Sequence, residues 1–288
     1  MSNWLLIDVN NTAHRHYHIL KSKAFASTSE VIRKSLNIRF FEDVIRWLER
    51  WPDTQMAFCF DGVMGKTTRQ SIYPDYKLNR EAIAFPHGEI GLRNALAIHL
   101  LDLKDELLPM LGCRNVFCDR HFEGDDIIAS LCKYSLKGKS TAVIISNDKD
   151  MYQLLAPHIS VFAGNKTVTA NSFMAEWGVK PSMWADIKAI AGCPSDNITG
   201  VPGVGEISAA KYLKYELLPD SKKYKAITIC GQPIINQNLK LVKLPFAGTP
   251  KFKLKRHNWL SRKWKDVAKA VDSESLYRQA TGKAAMAL

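Results

Sequence analysis

F-E-G-D-D-I-I-A-S-L-C-K-Y over residues 122–134, followed after a basic turn by T-A-V-I-I-S-N-D-K-D over 141–150, decides how this chain folds. Residues 141–146 are a short β-branched run of the kind that forms a buried strand, and Asp148 and Asp150 follow its C-terminal end. Ile127, Ile128, Leu131 and Cys132 recur at helical spacing, which predicts an amphipathic helix opened by Glu123, Asp125 and Asp126. Acids at a helix N-terminus have an ordinary explanation: they cap free N–H groups and suit the dipole. Capping accounts for one or two of these three, and for neither aspartate at the end of the neighbouring strand. In an open α/β sheet that edge is where ligands bind. Carboxylates crowded there repel one another unless hard cations such as Mg²⁺ or Mn²⁺ hold them together, so metal binding outweighs a capped, solvated surface.

A short apolar run ending in an acid recurs upstream. Residues 4–8 are the first predicted strand and end at Asp8; residues 55–60 are the second, followed by Asp61. Residues 114–118 form a third and lead into the acidic cluster, while 159–163 and 167–168 are later, shorter strands. Ile38, Phe41, Ile45 and Leu48 predict a helix over 29–50, and Leu96, Leu100, Leu103, Leu107 and Met110 predict another. This βα order predicts an α/β fold with a mostly parallel central sheet and helices on both faces. Residues 62–88 mix Gly, Pro, cations and tyrosines without a period, as an insertion over the sheet edge would. His14, His16 and His18 alternate as in a strand; without cysteine they are a weak metal signal. They predict a polar, phosphate-facing stretch with Arg15 as its contact.

The 288 residues carry 40 Lys+Arg against 28 Asp+Glu, a net charge of +12. If several acids are pooled in one metal site, the remaining surface is more basic still, and a polyanion, nucleic acid first, is the expected partner. The six cysteines show no C-x-x-C pair and no zinc spacing, which suits reduced thiols in the cytoplasm. No leader-like start and no apolar run long enough to span a bilayer is present, so a cytoplasmic protein without membrane contact is expected.

Beyond Pro181 the pattern turns helical. G-V-P-G-V-G over 200–205 is a glycine-dense turn between two helices, the second running from about 206 to 217. Such a turn offers backbone N–H groups and a helix N-terminus to phosphate. Three glycines in six residues exceed what a bare helix–helix turn needs. Further on, K-K-Y-K at 222–225 and the cation-rich stretch 251–265, with Phe252, Trp259 and Trp264, fit either a phosphate backbone or a basic helix packed by its tryptophans.

In order and spacing these residues resemble the 5′-nuclease, or flap endonuclease, family, over roughly residues 4–245; the brevity of the chain is like that of bacteriophage 5′→3′ exonucleases, which would place it in a host cytoplasm. Asp8 and Asp61 match strand-end aspartates. Y-K-L-N-R at 76–80 matches the base of a helical arch, E-G-D-D at 123–126 and D-K-D at 148–150 match metal-binding motifs, and S-D-N at 195–197 precedes a helix–three-turn–helix. The resemblance implies a PIN-like nuclease core at 1–178 with an arch insertion at about 62–105. It implies a helical DNA-binding part at 179–288, with the helix–three-turn–helix at about 189–218 and a basic tail.

The same resemblance implies two Mg²⁺ ions about 4 Å apart, replaceable by Mn²⁺, across a scissile phosphodiester. Asp8, Asp61, Glu123, Asp125 and Asp126 would hold one; Asp148, Asp150 and Asp196 the other. Lys77 and Arg80 would meet the phosphate, with Tyr76 stacking on a base. Arg15, Gly200, Gly203, Gly205 and Lys211 would contact DNA, with K⁺ at the glycine turn. The implied partner of the monomer is DNA with a free 5′ end or flap, or an RNA–DNA hybrid. One departure stands out: where close relatives read G-D-x-S-D-N, this chain reads G-C-P-S-D-N, so Cys193 replaces an aspartate. A thiol is a poor Mg²⁺ ligand. The alternatives are a structure-specific DNA-binding protein with weakened catalysis, for which Cys193 is the one argument, and a small PIN-type RNase, which would lack the helix–three-turn–helix.

Overall fold

The computed structural model describes residues 3–21, 28–80, 89–136, 140–256, 261–274, 276 and 278. Residues 81–88 of the expected arch, the basic turn at 137–139, Trp259 and the final ten residues lie outside the described set. In chain order, β1 (Asn3–Asp8), α1 (Val9–Lys21), α2 (Ser29–Arg50) and β2 (Thr54–Phe60) are followed by α3 (Gly65–Gln70), α4 (Glu89–Leu101) and α5 (Leu108–Met110). Next come β3 (Val116–Cys118), α6 (Gly124–Tyr134), β4 (Thr141–Ile145), β5 (Ile159–Ala163), β6 (Lys166–Val168), α7 (Ala170–Trp177) and α8 (Trp184–Ala191). The short β7 (Gly192–Cys193) and β8 (Ile198–Thr199) precede α9 (Glu206–Leu213), α10 (Lys222–Lys225), α11 (Gln232–Val242) and α12 (Ser261–Ala270).

Two compact units form, the first from residues within 1–60, 85–117 and 254–288, the second from 61–84 and 118–253. A single cut near residue 178 does not reproduce them, because residues 118–178 cluster with the helical part that follows.

In the first unit β1 and β2 run parallel, in register from Asn3 opposite Thr54 to Asp8 opposite Cys59. Residues 4–8 of β1 are all buried, which is why the strand reads as an unbroken apolar run rather than an alternating one. α2 begins where the Thr28 hydroxyl accepts the Val31 N–H, and it buries Leu36, Phe40, Phe41 and Val44. Helices α1, α2 and α4 share a core of Ala13, Tyr17, Ile32, Leu36, Leu92 and Leu96. The continuous helix expected over 96–110 instead carries a π-helical turn, Asp102–Leu107, where Asp102 accepts from Asn37 at 3.1 Å and faces Arg33 at 3.5 Å.

Residues 14–18 lie in α1, not in a strand, and His16 is buried with its Nε2 2.8 Å from Asp43. Arg15 also pairs with Asp43, as does Arg46. Burial opposes ionisation of Asp43, but His16, Arg15 and Arg46 outweigh it and hold the carboxyl below the usual range. Arg15 is thus committed to an internal ion pair. Trp264 packs edge-on against Phe41, with ring centroids 6.0 Å apart, so in α12 the basic-helix reading holds for this tryptophan.

In the second unit β4 and β5 are parallel, while β6 returns antiparallel to β5 through a turn at Gly164, whose φ is 62°. The strand at 166–168 therefore joins as an antiparallel edge. α8 packs against α9 and α11, beside a cluster of Tyr152, Phe173, Trp177 and Trp184. α9 ends at Leu213, short of the expected 217, and Tyr215 then takes a left-handed φ of 61°, which turns the chain away. No helix among the described residues is long and apolar enough to cross a membrane.

Candidate active site

The N-terminus of α6 shows how much of its acidity is capping. Glu123 is the N-cap and Asp126 the third helical residue, and each side chain accepts from the other's backbone N–H, a capping box. Asp126 is fully buried: its Oδ2 accepts the Glu123 N–H at 3.1 Å, and its Oδ1 accepts from Arg69 Nη2 at 2.9 Å and the Phe246 N–H at 2.8 Å. Both oxygens are engaged by the protein, and Oδ1 takes two donors, one of them the buried Arg69 guanidinium. Arg69 went unnoticed in the sequence, where G-K-T-T-R shows no period. It is 3% exposed, lies 3.4 Å from Glu123 and is flanked by the rings of Phe246 and Tyr76 at 4.8 and 5.8 Å.

Glu123 is the meeting point of the site. Lys77 Nζ donates to both of its carboxylate oxygens at 3.0 and 2.9 Å, and the Tyr76 hydroxyl donates to Oε2 at 3.1 Å. Burial disfavours the Glu123 anion, yet Lys77 and Arg69 more than compensate and hold its pKa down. Burial likewise opposes the Lys77 ammonium, while Glu123, Tyr76 and Asp196 raise it well above the lysine range. Tyr76 is buried at 3% exposure, so its ring does not offer a stacking face; the hydroxyl fixes Glu123 instead.

The Y-K-L-N-R segment is clasped to S-D-N, more than a hundred residues away in sequence. The Lys77 N–H donates to the Asp196 carbonyl at 2.9 Å, Asn79 to the Pro194 carbonyl at 3.0 Å, and Asn197 to the Asp75 carbonyl at 2.8 Å. Arg80 Nη2 donates to Asp196 Oδ1 at 2.7 Å, and Lys77 Nζ lies 3.9 Å from the same oxygen. Lys77 and Asn197 hold φ of 56° and 58°, sparsely populated values that mutual docking stabilises.

Asp148 caps the 3₁₀ turn after β4 by accepting the Asp150 N–H at 2.8 Å. One ligand atom each of Asp150, Cys193 and Asp196 lies within 4.8 Å of the others. Asp150 Oδ1 is buried without a hydrogen-bond donor, and Lys188 Nζ stands 3.4 Å from it. Burial, then the charges of Asp148 and Asp196, push Asp150 up to about 7 against the pull of Lys188. Lys188, a second residue missed in the sequence, is a single cation in the apolar run of α8 and is 7% exposed. Aspartates held this way fit a cation; a thiol among them fits Mg²⁺ poorly.

Asp61 accepts the Gly124 N–H at 2.7 Å, and its loop is pressed so closely that a Cβ on Gly62 would meet the Asp119 carbonyl at 1.8 Å. Asp125 is half-buried in the first turn of α6. Asp8 belongs to the first unit, buried, with its Oδ1 accepting the Asn11 N–H at 2.9 Å.

The glycines of the turn divide by role. A Cβ on Gly200 would sit 2.2 Å from the Ala191 carbonyl, so packing explains it; Gly203 has φ +74°. Gly203 and Gly205 both face open space, nothing lying within 4 Å of an added Cβ. Gly205 caps α9 and, with Ile207, Ser208, exposed Lys211, Leu217 and Lys223, lines a cleft of about 600 Å³.

A family model for the 5′-3′ exonuclease, N-terminal resolvase-like domain, matches residues 3–178. The chain belongs to the 5′-3′ exonuclease family. Among its relatives, DNA polymerase I of Mycobacterium leprae (strain TN) is 32% identical over 216 residues, 73% of this chain and 22% of the polymerase. The 5′-3′ exonuclease of Bacillus subtilis (strain 168) is 35% identical over 188 residues, 62% of this chain and 58% of that protein. The chain therefore spans about a fifth of the polymerase and just over half of the Bacillus exonuclease. Among solved structures, T5 5′-exonuclease with bound zinc superposes at a TM-score of 0.68, with 18% identity over 98% of this chain and 97% of that one. A bacteriophage T5 flap endonuclease in complex with DNA and metal ions gives 0.67, also at 18% identity, over 97% of this chain and 98% of that one. The shared fold is a mostly parallel sheet flanked by helices.

Proposed function

We propose that this exonuclease-family chain is a divalent-metal-dependent 5′ nuclease that hydrolyses phosphodiester bonds near the 5′ end of DNA, at free ends and at 5′ flaps. The clasp between 76–80 and 194–197 carries the reading, because it sets Lys77 and Arg80 against Glu123 and Asp196. A half-buried lysine and an exposed arginine locked onto carboxylates form a polar surface matched to a phosphate bridged to those carboxylates by metal ions.

In the two-metal form of this reading, Asp61, Glu123 and Asp125 would hold one Mg²⁺ or Mn²⁺; Asp148, Asp150 and Asp196 would hold the second. Bound divalent cations supply Lewis acidity to the phosphoryl group and to the attacking water. Lys77 and Arg80 exchange part of their carboxylate contacts for the phosphate and stabilise the charge that develops on it. Tyr76, Arg69 and Asp126 keep Glu123 in place while this happens. The open backbone at Gly203 and Gly205, beside Lys211, would receive duplex phosphates, with K⁺ on the carbonyls of that turn. RNA–DNA hybrids with free 5′ ends are a second substrate class under this reading.

A 5′-labelled flap duplex incubated with Mg²⁺, Mn²⁺ or EDTA, beside Asp125→Asn, tests it. Metal-dependent release of a short 5′ product, lost in the variant, is expected. Tight binding without cleavage in either metal would favour the structure-specific DNA-binding protein.

A further inference from the structure

The donor set around Asp150 does not match the hard, all-oxygen coordination that Mg²⁺ demands. Cys193 is 2% exposed and sits in β7 beside the short turn that carries Asp196. Its Sγ lies 3.1 Å from Ser195 Oγ and 3.7 Å from Asp196 Oδ2, and shares with Asp150 and Asp196 a space whose ligand atoms fall within 4.8 Å of one another. Asp150 contributes its buried Oδ1, which faces Lys188 Nζ at 3.4 Å. Two carboxylates, one thiol and an adjacent hydroxyl make a mixed oxygen–sulfur set, and softness selects among metals on that basis. Zn²⁺ and Cd²⁺ accept thiolate readily and tolerate four ligands, whereas Mg²⁺ needs near-octahedral oxygen. The Lys188 ammonium already neutralises Asp150 at 3.4 Å, which further weakens the pull on a hard cation that gains only electrostatically.

We propose that Asp150, Cys193 and Asp196 form a site for a thiophilic divalent cation of the Zn²⁺ class, in which Cys193 binds through sulfur, so that the second cation position of this chain discriminates against Mg²⁺. It rests on reading this cluster as a cation position in a 5′ nuclease. On binding, the S–H bond breaks, the metal–sulfur bond forms and the thiol proton passes to solvent; no electron is transferred. The Lys188 ammonium moves off Asp150 and keeps Glu206, 3.8 Å away, as its partner.

The test is optical and independent of nuclease activity. Full-length protein carrying Cys118→Ser and Cys230→Ser, which removes the two exposed thiols, is titrated with Cd²⁺ and followed by thiolate-to-metal charge-transfer absorption. A saturable band with proton release is expected, lost in Cys193→Ser. It is expected to be lost also in Cys193→Asp, which restores an oxygen donor and gains a Mg²⁺-binding step by calorimetry. Far-ultraviolet circular dichroism establishes that each variant is folded. Absence of the band, or its persistence in both Cys193 variants, overturns the proposal. Flap cleavage that fails while the band forms would instead sink the nuclease reading and leave the metal site standing.

Discussion

Arg69→Met isolates the cost of leaving the buried carboxylates of this site without their cation. The guanidinium is 3% exposed, 2.9 Å from fully buried Asp126 and 3.4 Å from Glu123. Glu123 retains Lys77 after the substitution, but Asp126 keeps only the N–H groups of Phe246 and Glu123. Breaking a buried pair by deleting one partner costs about 3–5 kcal/mol. The lost contacts with Phe246 and Tyr76 add about 1 kcal/mol, and methionine restores most of the apolar volume. Urea denaturation followed by tryptophan fluorescence should therefore show a loss of about 4 kcal/mol or more. Pairing the change with Asp126→Asn separates charge from packing. If the stranded charge dominates, the double variant is more stable than the sum of the singles by about 1–3 kcal/mol. A loss below about 1 kcal/mol for Arg69→Met, which is the scale of an exposed pair, or strict additivity with Asp126→Asn, would refute the reasoning.

Other consequences are independent of that cycle. His99 is fully buried, its Nδ1 bonded to Asn37, and burial followed by His16 pushes its pKa down to about 3. The unfolded chain binds this proton below pH 6.5 and the folded chain does not, so stability falls with pH through the window from 6.5 towards 3. About 2 kcal/mol should be lost by pH 5, and His99→Gln should flatten that slope in pH-dependent urea melts. Gly200→Ala meets the Ala191 carbonyl at 2.2 Å and should lower the unfolding free energy in urea melts by at least the roughly 1–3 kcal/mol typical of overpacking. Gly205→Ala meets nothing within 4 Å, so it should leave the unfolding free energy within about 1 kcal/mol of wild type while weakening duplex binding in a fluorescence-anisotropy titration. Cleavage by Cys193→Asp should saturate at lower Mg²⁺ than wild type; superimposable titration curves would show that the thiol has no bearing on the metal requirement. Arg80→Ala removes a half-exposed cation from Asp196, and should cut turnover roughly 10²-fold with little change in stability.

The sequence by itself determined the strands and their acidic ends. Residues 4–8, 55–60 and 141–146 are apolar or β-branched over the length of a strand, and a buried strand needs little more than that local composition. Helix α2 was readable for the same reason, since a 22-residue amphipathic period outweighs end effects. Spacing also brought Glu123, Asp125, Asp126, Asp148 and Asp150 forward as a group, and the family resemblance added Asp196. Only tertiary structure decided what each does. Asp126 becomes a counter-ion for Arg69, and Tyr76 is buried beneath Glu123. Arg15 is spent on Asp43, within a helix where alternation had suggested a strand. Arg69 and Lys188 carry no local signal, because a cation in a patternless loop or an apolar helix acquires its role from carboxylates 57 residues away in one case and 38 in the other. Periodicity reports which face of an element is buried; the partner of a buried charge is set by long-range packing, to which periodicity is blind.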